Sequence, residues 1–371
     1  MARVVVLGSL PESLLNFRGP LLRAMAAAGH EVHAASPPAA PAVVAALAAM
    51  GVRHHAVPLA RASLNPLRDL GTLRALVSLF RQLRPDHLLA YTIKPVIYGG
   101  LAARLAGVPR YYAMITGLGY SFAGGGLKCR LVGRLARALY RASLAGAERV
   151  LFQNRDNLDA FTAFGLLRGP SQACLTAGSG VDLAHFAPMP LPDAPHFLMV
   201  ARLLHDKGVL EYVEAARRVK SSHPQARFRL AGWIDENPTA VSPRQLDGWI
   251  REGVIEYLGR LDDVRPAFAD ARVYCLPSYH EGMPRTVLEA MAMGRPVITT
   301  RVPGCRDTVC EGGNGYLVPA RDAEALAKAM VRFIETPDLA LAMGAAGRRR
   351  AEEEFDVNRV NRTILEAMEL A

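Results

Sequence analysis

The sequence predicts an α/β chain of two doubly wound parallel sheets, each in a domain of its own. Three observations carry this. Short apolar runs alternate with helical patterns from the first residues onward, the order that builds a parallel sheet covered by helices. Four prolines in Pro188-Met189-Pro190-Leu191-Pro192-Asp193-Ala194-Pro195 then interrupt the alternation, because such a segment continues neither a helix nor a strand. Beyond it the alternation restarts. A length of 371 residues gives each domain enough chain for a core.

Each element follows from its local pattern. Val4–Leu7 reads as the first strand, its apolar part too short for a signal peptide. Leu14–Ala28 has a helical period closed by Gly29. Strands are expected at Glu31–Ala35, Arg53–Val57, Asp86–Tyr91, Tyr111–Ile115 and Arg149–Gln153. The helices between them are expected at Ala39–Met50, Pro66–Leu83, Val96–Ala106 and Leu127–Ala145. After the prolines come strands at His196–Val200, Phe228–Ala231, Ile255–Tyr257, Arg272–Leu276 and Val297–Thr299. A last helix is expected over Val357–Glu369. The expected domains are residues 1–190 and 191–355, with 356–371 as a terminal helix. In the helix from Leu127, Arg130, Arg134, Arg137 and Arg141 share one face, and Leu131, Leu135, Ala138 and Ala142 a neighbouring one. The expectation is that the apolar face is buried and the arginines point outward.

Composition narrows the function. No apolar run reaches the roughly eighteen residues of a membrane span. The five cysteines form no Cys-x-x-Cys pair, and Cys305 and Cys310 have no histidine cluster beside them, so reduced thiols are expected and no zinc site. The net charge of +10 calls for an anionic partner: nucleic acid, an anionic membrane surface or a phosphorylated substrate. No zinc finger, RNA-recognition signature or basic tail supports nucleic acid. The first turn, Gly8-Ser9-Leu10-Pro11-Glu12, is not G-x-G-x-x-G, and no P-loop occurs, so neither a dinucleotide cofactor nor any other is expected.

The most informative stretch is Ser278-Tyr279-His280-Glu281-Gly282-Met283-Pro284-Arg285-Thr286-Val287-Leu288-Glu289, which follows an apolar strand. Pro284 suits the first turn of a helix, and Gly294 and Pro296 end it. Glu281 then lies before the helix and Glu289 inside it, at most about 12 Å apart. Paired glycosidase carboxylates stand roughly 5–9.5 Å apart, so this spacing better suits two ends of one elongated ligand. Between the glutamates lie free N–H groups and a helix dipole, an anion site. Two hydroxyl-rich ends joined by a diphosphate describe a nucleotide-sugar. An amphipathic helix with two solvated glutamates shows the same spacing.

A second constellation, Arg202-Leu203-Leu204-His205-Asp206-Lys207-Gly208, ends the first strand after the prolines. Arg202 offers a planar fork to phosphate oxygens and Lys207 a compact charge; a solvated charged turn is the plain alternative. Gly232 ends the next strand where backbone can approach closely. No Asp-x-Asp occurs, so a metal clamp on a diphosphate is not expected.

Together these motifs resemble the signature of glycosyltransferase family 4, in which two glutamates flank seven residues and Arg-Leu-x-x-x-Lys-Gly binds the donor diphosphate. The segments Ser9-Leu10-Pro11-Glu12-Ser13-Leu14-Leu15-Asn16-Phe17-Arg18-Gly19, Thr92-Ile93-Lys94-Pro95, Thr116-Gly117-Leu118-Gly119 and Pro277–Gly282 are similar to the capsule and O-antigen branch. The resemblance covers nearly the whole chain. It implies a GT-B architecture, two Rossmann-like domains facing across a cleft, with the last helix crossing back to the first domain. It implies a retaining transfer of a hexosyl or N-acetylhexosaminyl unit from a UDP-sugar to an undecaprenyl-diphosphate-linked sugar. The enzyme would be cytoplasmic and peripheral on the inner face of the bacterial plasma membrane.

In that reading Arg202, Lys207 and Glu281 serve the reaction. Glu289 binds the ribose, and the backbone at Arg260 and Leu261 pairs with uracil. Gly8, Thr116, Gly117, Gly232, Gly282, Met283 and Arg285 complete the substrate contacts. Where many members carry a histidine against the donor sugar, this chain has Thr116-Gly117. Two other readings share the motifs: a sugar-nucleotide epimerase of the same architecture, and a non-catalytic nucleotide-sugar or nucleic-acid-binding protein.

Overall fold

A computed structural model describes residues 1–60, 65–117, 127–235, 237 and 239–371 (backbone alone at 127–131). The chain forms two α/β units, Met1–Ser179 with Asn358–Ala371, and Gly180–Val357. In the first unit the strands are β1 (Arg3–Leu7), β2 (Glu31–Ser36), β3 (Arg53–Ala56), β4 (His87–Tyr91), β5 (Arg110–Ile115), β6 (Ala147–Phe152) and β7 (Ala173–Leu175). They pair in parallel in the order β3-β2-β1-β4-β5-β6-β7. The helices are α1 (Pro11–Asn16), α2 (Gly19–Ala27), α3 (Pro41–Ala48), α4 (Pro66–Leu83), α5 (Ile93–Ala106), α6 (Leu127–Leu144) and α7 (Arg155–Ala163). Val5 and Leu7 of β1 enter one core and Val4 and Val6 the other, on opposite faces of the sheet. Both faces are covered, which is why these strands read as continuous apolar runs.

The second unit holds β8 (His196–Val200), α8 (Val209–Ser222), β9 (Arg227–Ala231), α9 (Pro243–Arg251), β10 (Glu256–Tyr257), α10 (Arg265–Ala269) and β11 (Val273–Leu276). It continues with α11 (Arg285–Ala292), β12 (Val297–Thr300), β13 (Gly315–Val318), α12 (Ala323–Glu335) and α13 (Pro337–Glu354). Its parallel sheet runs β10-β9-β8-β11-β12-β13. The order reverses between β1 and β4 in the first sheet and between β8 and β11 in the second. At such a switch point the loops leaving the strand carboxyl ends diverge and open a crevice. The final helix, α14 (Val357–Ala367), puts Val360, Ile364 and Leu365 into a core of the first unit.

Three expectations differ from the structure. The helix expected over Leu14–Ala28 is two helices, α1 and α2, with Phe17 and Arg18 between them. Pro20 accounts for the break, since it has no N–H to donate and restricts the residue before it. The proline-rich segment is not a spacer between units. Arg295, 0% exposed, donates to Met189 O at 2.9 Å, Pro190 O at 3.0 Å and Phe268 O at 2.8 Å. Arg272 donates to Pro192 O at 2.6 Å and to Pro337 O at 2.9 Å. These bonds fasten the prolines to the second unit, and the chain divides earlier, at Ser179 and Gly180. Finally, α6 buries Tyr140, Ser143 and Leu144, not the face of Leu135. Leu135 is 60% exposed, and Ala138 and Ala142 are exposed with it.

Burial lowers the Arg295 guanidinium to about 10, still charged at neutral pH. Its carbonyl partners would be orphaned without it. Arg295→Met should therefore cost about 3 kcal/mol in denaturant unfolding. The exposed Arg53→Met should stay within about 0.5 kcal/mol of wild type.

Candidate functional site

The second sheet's switch point gathers the charged residues. Past β8, Ala201 N donates to Ala231 O at 3.0 Å and Leu203 N to Trp233 O at 2.9 Å. The half-buried Arg202 between them donates from Nη1 to Asp235 Oδ2 at 2.8 Å. A 3₁₀ turn over His205–Lys207 follows and closes at Gly208, φ +75°. A Cβ on Gly208 would stand 2.1 Å from Pro277 O, so only glycine lets the loop after β11 lie against this turn. Tyr279 N donates to Asp206 O at 2.9 Å as a second tie. Lys207 Nζ thereby reaches Glu281 Oε1 at 2.5 Å, and Ser278 Oγ donates to the same oxygen at 2.8 Å. The Lys207 and Glu281 side chains are 20% and 13% exposed.

The loop is held from behind. Tyr279 donates its hydroxyl to Glu211 Oε1 at 2.6 Å, and the Arg321 guanidinium lies 4.7 Å above its ring. Burial, and then the Glu211 carboxylate, push the Tyr279 phenol above its usual range. A Cβ on Gly304 would stand 2.6 Å from Glu281 O, a further contact that needs glycine. Gly282 and Met283 are half-buried and lead to Pro284, the N-cap of α11. Arg285 opens α11, and its Nε stands 2.8 Å from Oε1 of Glu289, one turn on. Glu289 is 6% exposed. Burial pushes its carboxyl up to about 7, with Arg285 pulling the other way.

The ends of β9 and β10 adjoin the β8 loop. Gly232 N donates to Gly259 O at 2.8 Å, and a Cβ on Gly232 would stand 1.8 Å from Ala201 O. The Arg260 guanidinium lies 5.0 Å from the Trp233 ring, and both residues are exposed. Leu261 beside them is half-buried. The structure thus brings Lys207 to Glu281, Arg285 to Glu289 and Gly232 to the turn before Arg260. His280 is exposed.

In the first unit, Gly8 follows β1 with its α-carbon against Tyr91, whose hydroxyl would stand 2.3 Å from a Cβ there. Its glycine is thus explained by packing. Thr92 follows Tyr91 with φ 71° and ψ 165°, a region almost reserved for glycine and strained for a β-branched residue. Its hydroxyl donates to Ser9 Oγ at 2.9 Å. Lys94 pairs with Asp69 at 2.5 Å. Thr116 and Gly117 leave β5 half-buried, and the rest of Thr116–Phe122 lies outside the described residues. His33, His54 and His55 sit in strand-to-strand hydrogen bonds, His33 Nδ1 to His55 Nε2 at 2.9 Å and His54 Nε2 to Ser36 Oγ at 2.8 Å.

Two functional candidates escape a sequence reading. Asp235 sits in an irregular loop, and only tertiary folding brings it to Arg202. Ser278 lies inside the central stretch, but its bond to Glu281 depends on the turn between them. Among the described residues no three metal-binding side chains converge.

The state of Glu289 is testable. Its folded carboxyl titrates near 7 against an ordinary 4.5, so between those values the folded chain holds a proton that the unfolded chain has released. Its stabilising effect is full below the lower value and is lost as pH rises through the upper one. Glu289→Gln keeps the neutral form at every pH. It should match wild type at pH 4 in thermal unfolding and exceed it at pH 8, by on the order of 1–3 kcal/mol.

Known proteins resemble this chain in both sequence and fold. Residues 18–174 match the glycosyl transferase 4-like domain, and residues 194–336 match the glycosyl transferases group 1. The chain is 28% identical over 353 residues to the N,N'-diacetylbacillosaminyl-diphospho-undecaprenol alpha-1,3-N-acetylgalactosaminyltransferase of Campylobacter jejuni, covering 91% of each. The fold superposes on sucrose-phosphate synthase from Thermosynechococcus elongatus with a TM-score of 0.80 at 20% identity, covering 99% of this chain and 98% of that one. It superposes on Anabaena HepE, solved with UDP and glucose, with a TM-score of 0.79 at 17% identity over 100% of both chains. With both of its units matched, the first as a 4-like domain and the second as group 1, the chain belongs to the GT-B glycosyltransferases.

Proposed function

We propose that this glycosyltransferase moves a hexosyl or N-acetylhexosaminyl unit, with retention, from a UDP-sugar to a lipid-diphosphate-linked sugar in cell-surface glycan assembly. The observation that carries the proposal is the junction of Lys207 with Glu281, ahead of the helix that carries Glu289. A diphosphate placed there meets Lys207, Arg202 and the N–H groups after Glu281, which stabilise charge growing on the leaving group. Glu281 takes the sugar hydroxyls and Glu289 the ribose, while the backbone at Arg260 and Leu261 faces the base. The acceptor hydroxyl attacks on the face the diphosphate leaves, and a phosphate oxygen takes its proton. The absence of Asp-x-Asp supports a metal-independent reaction. The Campylobacter relative's name includes an undecaprenol-linked acceptor, and HepE was solved with UDP, which supports both substrate classes.

Lys207→Ala should lower kcat about 10²–10³-fold, as loss of a transition-state donor does. Calorimetry with UDP alone should separate the glutamates: Glu289→Ala weakens UDP binding, whereas Glu281→Ala leaves it nearly intact and impairs transfer. Equal losses of UDP affinity would refute that division.

A lipid-linked acceptor places the enzyme at the inner face of the plasma membrane. No helix among the described residues is long and apolar enough to cross a membrane. The docking surface we assign is the outward face of α6, where the exposed Arg134 stands beside Leu135. Arg137 lies 5.1 Å from the Phe164 ring, and Arg141 donates to Phe164 O at 3.0 Å, so these two also brace the turn after α7. A face mixing basic and apolar residues suits the interfacial region of a bilayer. Arg134→Glu with Leu135→Ser should reduce sedimentation with anionic liposomes about tenfold at low salt. Transfer to a short-chain soluble acceptor should be unchanged. Wild-type liposome binding by this variant would remove α6 as the docking surface.

A further inference from the structure

Asp235 places a carboxylate beside an arginine assigned to bind a diphosphate. A like charge near an anion site weakens it, so an acid there requires a reason. The surroundings show that it is built in. Asp235 Oδ2 accepts from Arg202 Nη1 at 2.8 Å, and Oδ1 accepts from Asn237 N at 3.0 Å. Asn237 Oδ1 in turn accepts from Thr239 N at 3.0 Å. Thr239 O accepts from His205 N at 2.8 Å, and Val241 N donates to Leu203 O at 2.9 Å. The loop after β9 therefore returns along the Arg202–Lys207 segment, and these hydrogen bonds hold its carboxylate on the arginine.

We infer that Asp235 is a positioning residue. It holds the Arg202 guanidinium by one edge and weakens the site's grip on the spent diphosphate. A guanidinium has five N–H donors in a fixed plane, so one edge on Asp235 leaves others for phosphate oxygens. Holding that plane spares the substrate the entropy of ordering a long side chain. The same carboxylate offsets part of the arginine's charge, so the nucleoside diphosphate product leaves more readily. This inference rests on the diphosphate reading of Arg202 given above.

Two substitutions separate position from charge. Asp235→Asn keeps an acceptor oxygen for Arg202 and removes the negative charge. Asp235→Ala removes both. By calorimetry, Asp235→Asn should bind UDP about five- to tenfold tighter than wild type at low salt, with the gain shrinking as salt screens the charges. Its kcat should stay within about threefold of wild type, while that of Asp235→Ala falls about tenfold. Arg202→Ala is the control. If Arg202→Ala weakens UDP binding while Asp235→Asn leaves it within twofold of wild type, Asp235 does not set the charge of the site and this inference alone fails. If both Asp235 variants lose the same turnover, the positioning role is wrong. If Arg202→Ala binds UDP as wild type does, the diphosphate reading of Arg202 falls and this inference falls with it.

Discussion

The site depends on backbone packed directly on backbone at the carboxyl edge of the second sheet. Gly208 lies against Pro277 O, Gly232 against Ala201 O and Gly304 against Glu281 O, each where a Cβ would overlap the carbonyl. These contacts bring the β8 loop, the β9 loop and the β11 loop to one place at the β8/β11 switch point. The contacts between these loops follow. Lys207 reaches Glu281 because Gly208 lets the β11 loop approach, and Leu203 bonds to Trp233 O because Gly232 admits Ala201. A methyl group at any of the three glycines would push two loops apart, and the charged residues they carry would separate.

Close packing also sets the electrostatics. Side chains this near one another lose water, and a charge that loses water must be paired or neutralised. Lys207 and Glu281 solve this as an ion pair, with Ser278 adding a donor. Arg202 solves it with Asp235. Glu289 solves it in part by holding its proton, since burial outweighs the nearby Arg285. Each solution stabilises the site as it stands, by pairing or by neutralising a charge that has lost water.

What the sequence made legible follows physical range. The strand His196–Val200 was readable to the residue because Phe197, Leu198 and Met199 form an unbroken apolar run that is buried on both faces just after the prolines. The Glu281-to-Glu289 stretch was readable because strand, proline and helix lie within one short segment. Short edge strands such as β7 and β13 lacked that signal: Ala173–Leu175 is only three residues long, and β13 begins with Gly315 packed on Val297 O. The role of the proline-rich segment was hidden because Arg295 lies more than a hundred residues from Met189 in sequence. The buried face of α6 was misread because its small residues suit either side of a helix, and packing against α5 decides which one turns inward. Asp235 was silent for the same reason as Arg295, since its partner is chosen by tertiary structure alone.

The charge balance gives the last link. A net charge of +10 raised the expectation of an anionic partner, and the donor diphosphate is the obvious candidate. Yet two of the site's cations are matched, Arg202 by Asp235 and Lys207 by Glu281. These pairs contribute nothing to the surplus. The excess therefore lies outside them, on residues such as Arg134, which stands exposed on α6. A long-range positive field of that kind acts over about a Debye length and selects an extended anionic surface rather than one small ligand. The pairing of Arg202 and Lys207 thus fits the proposal that the basic surplus serves an extended anionic surface, such as the one a lipid-linked acceptor would offer, rather than one small ligand.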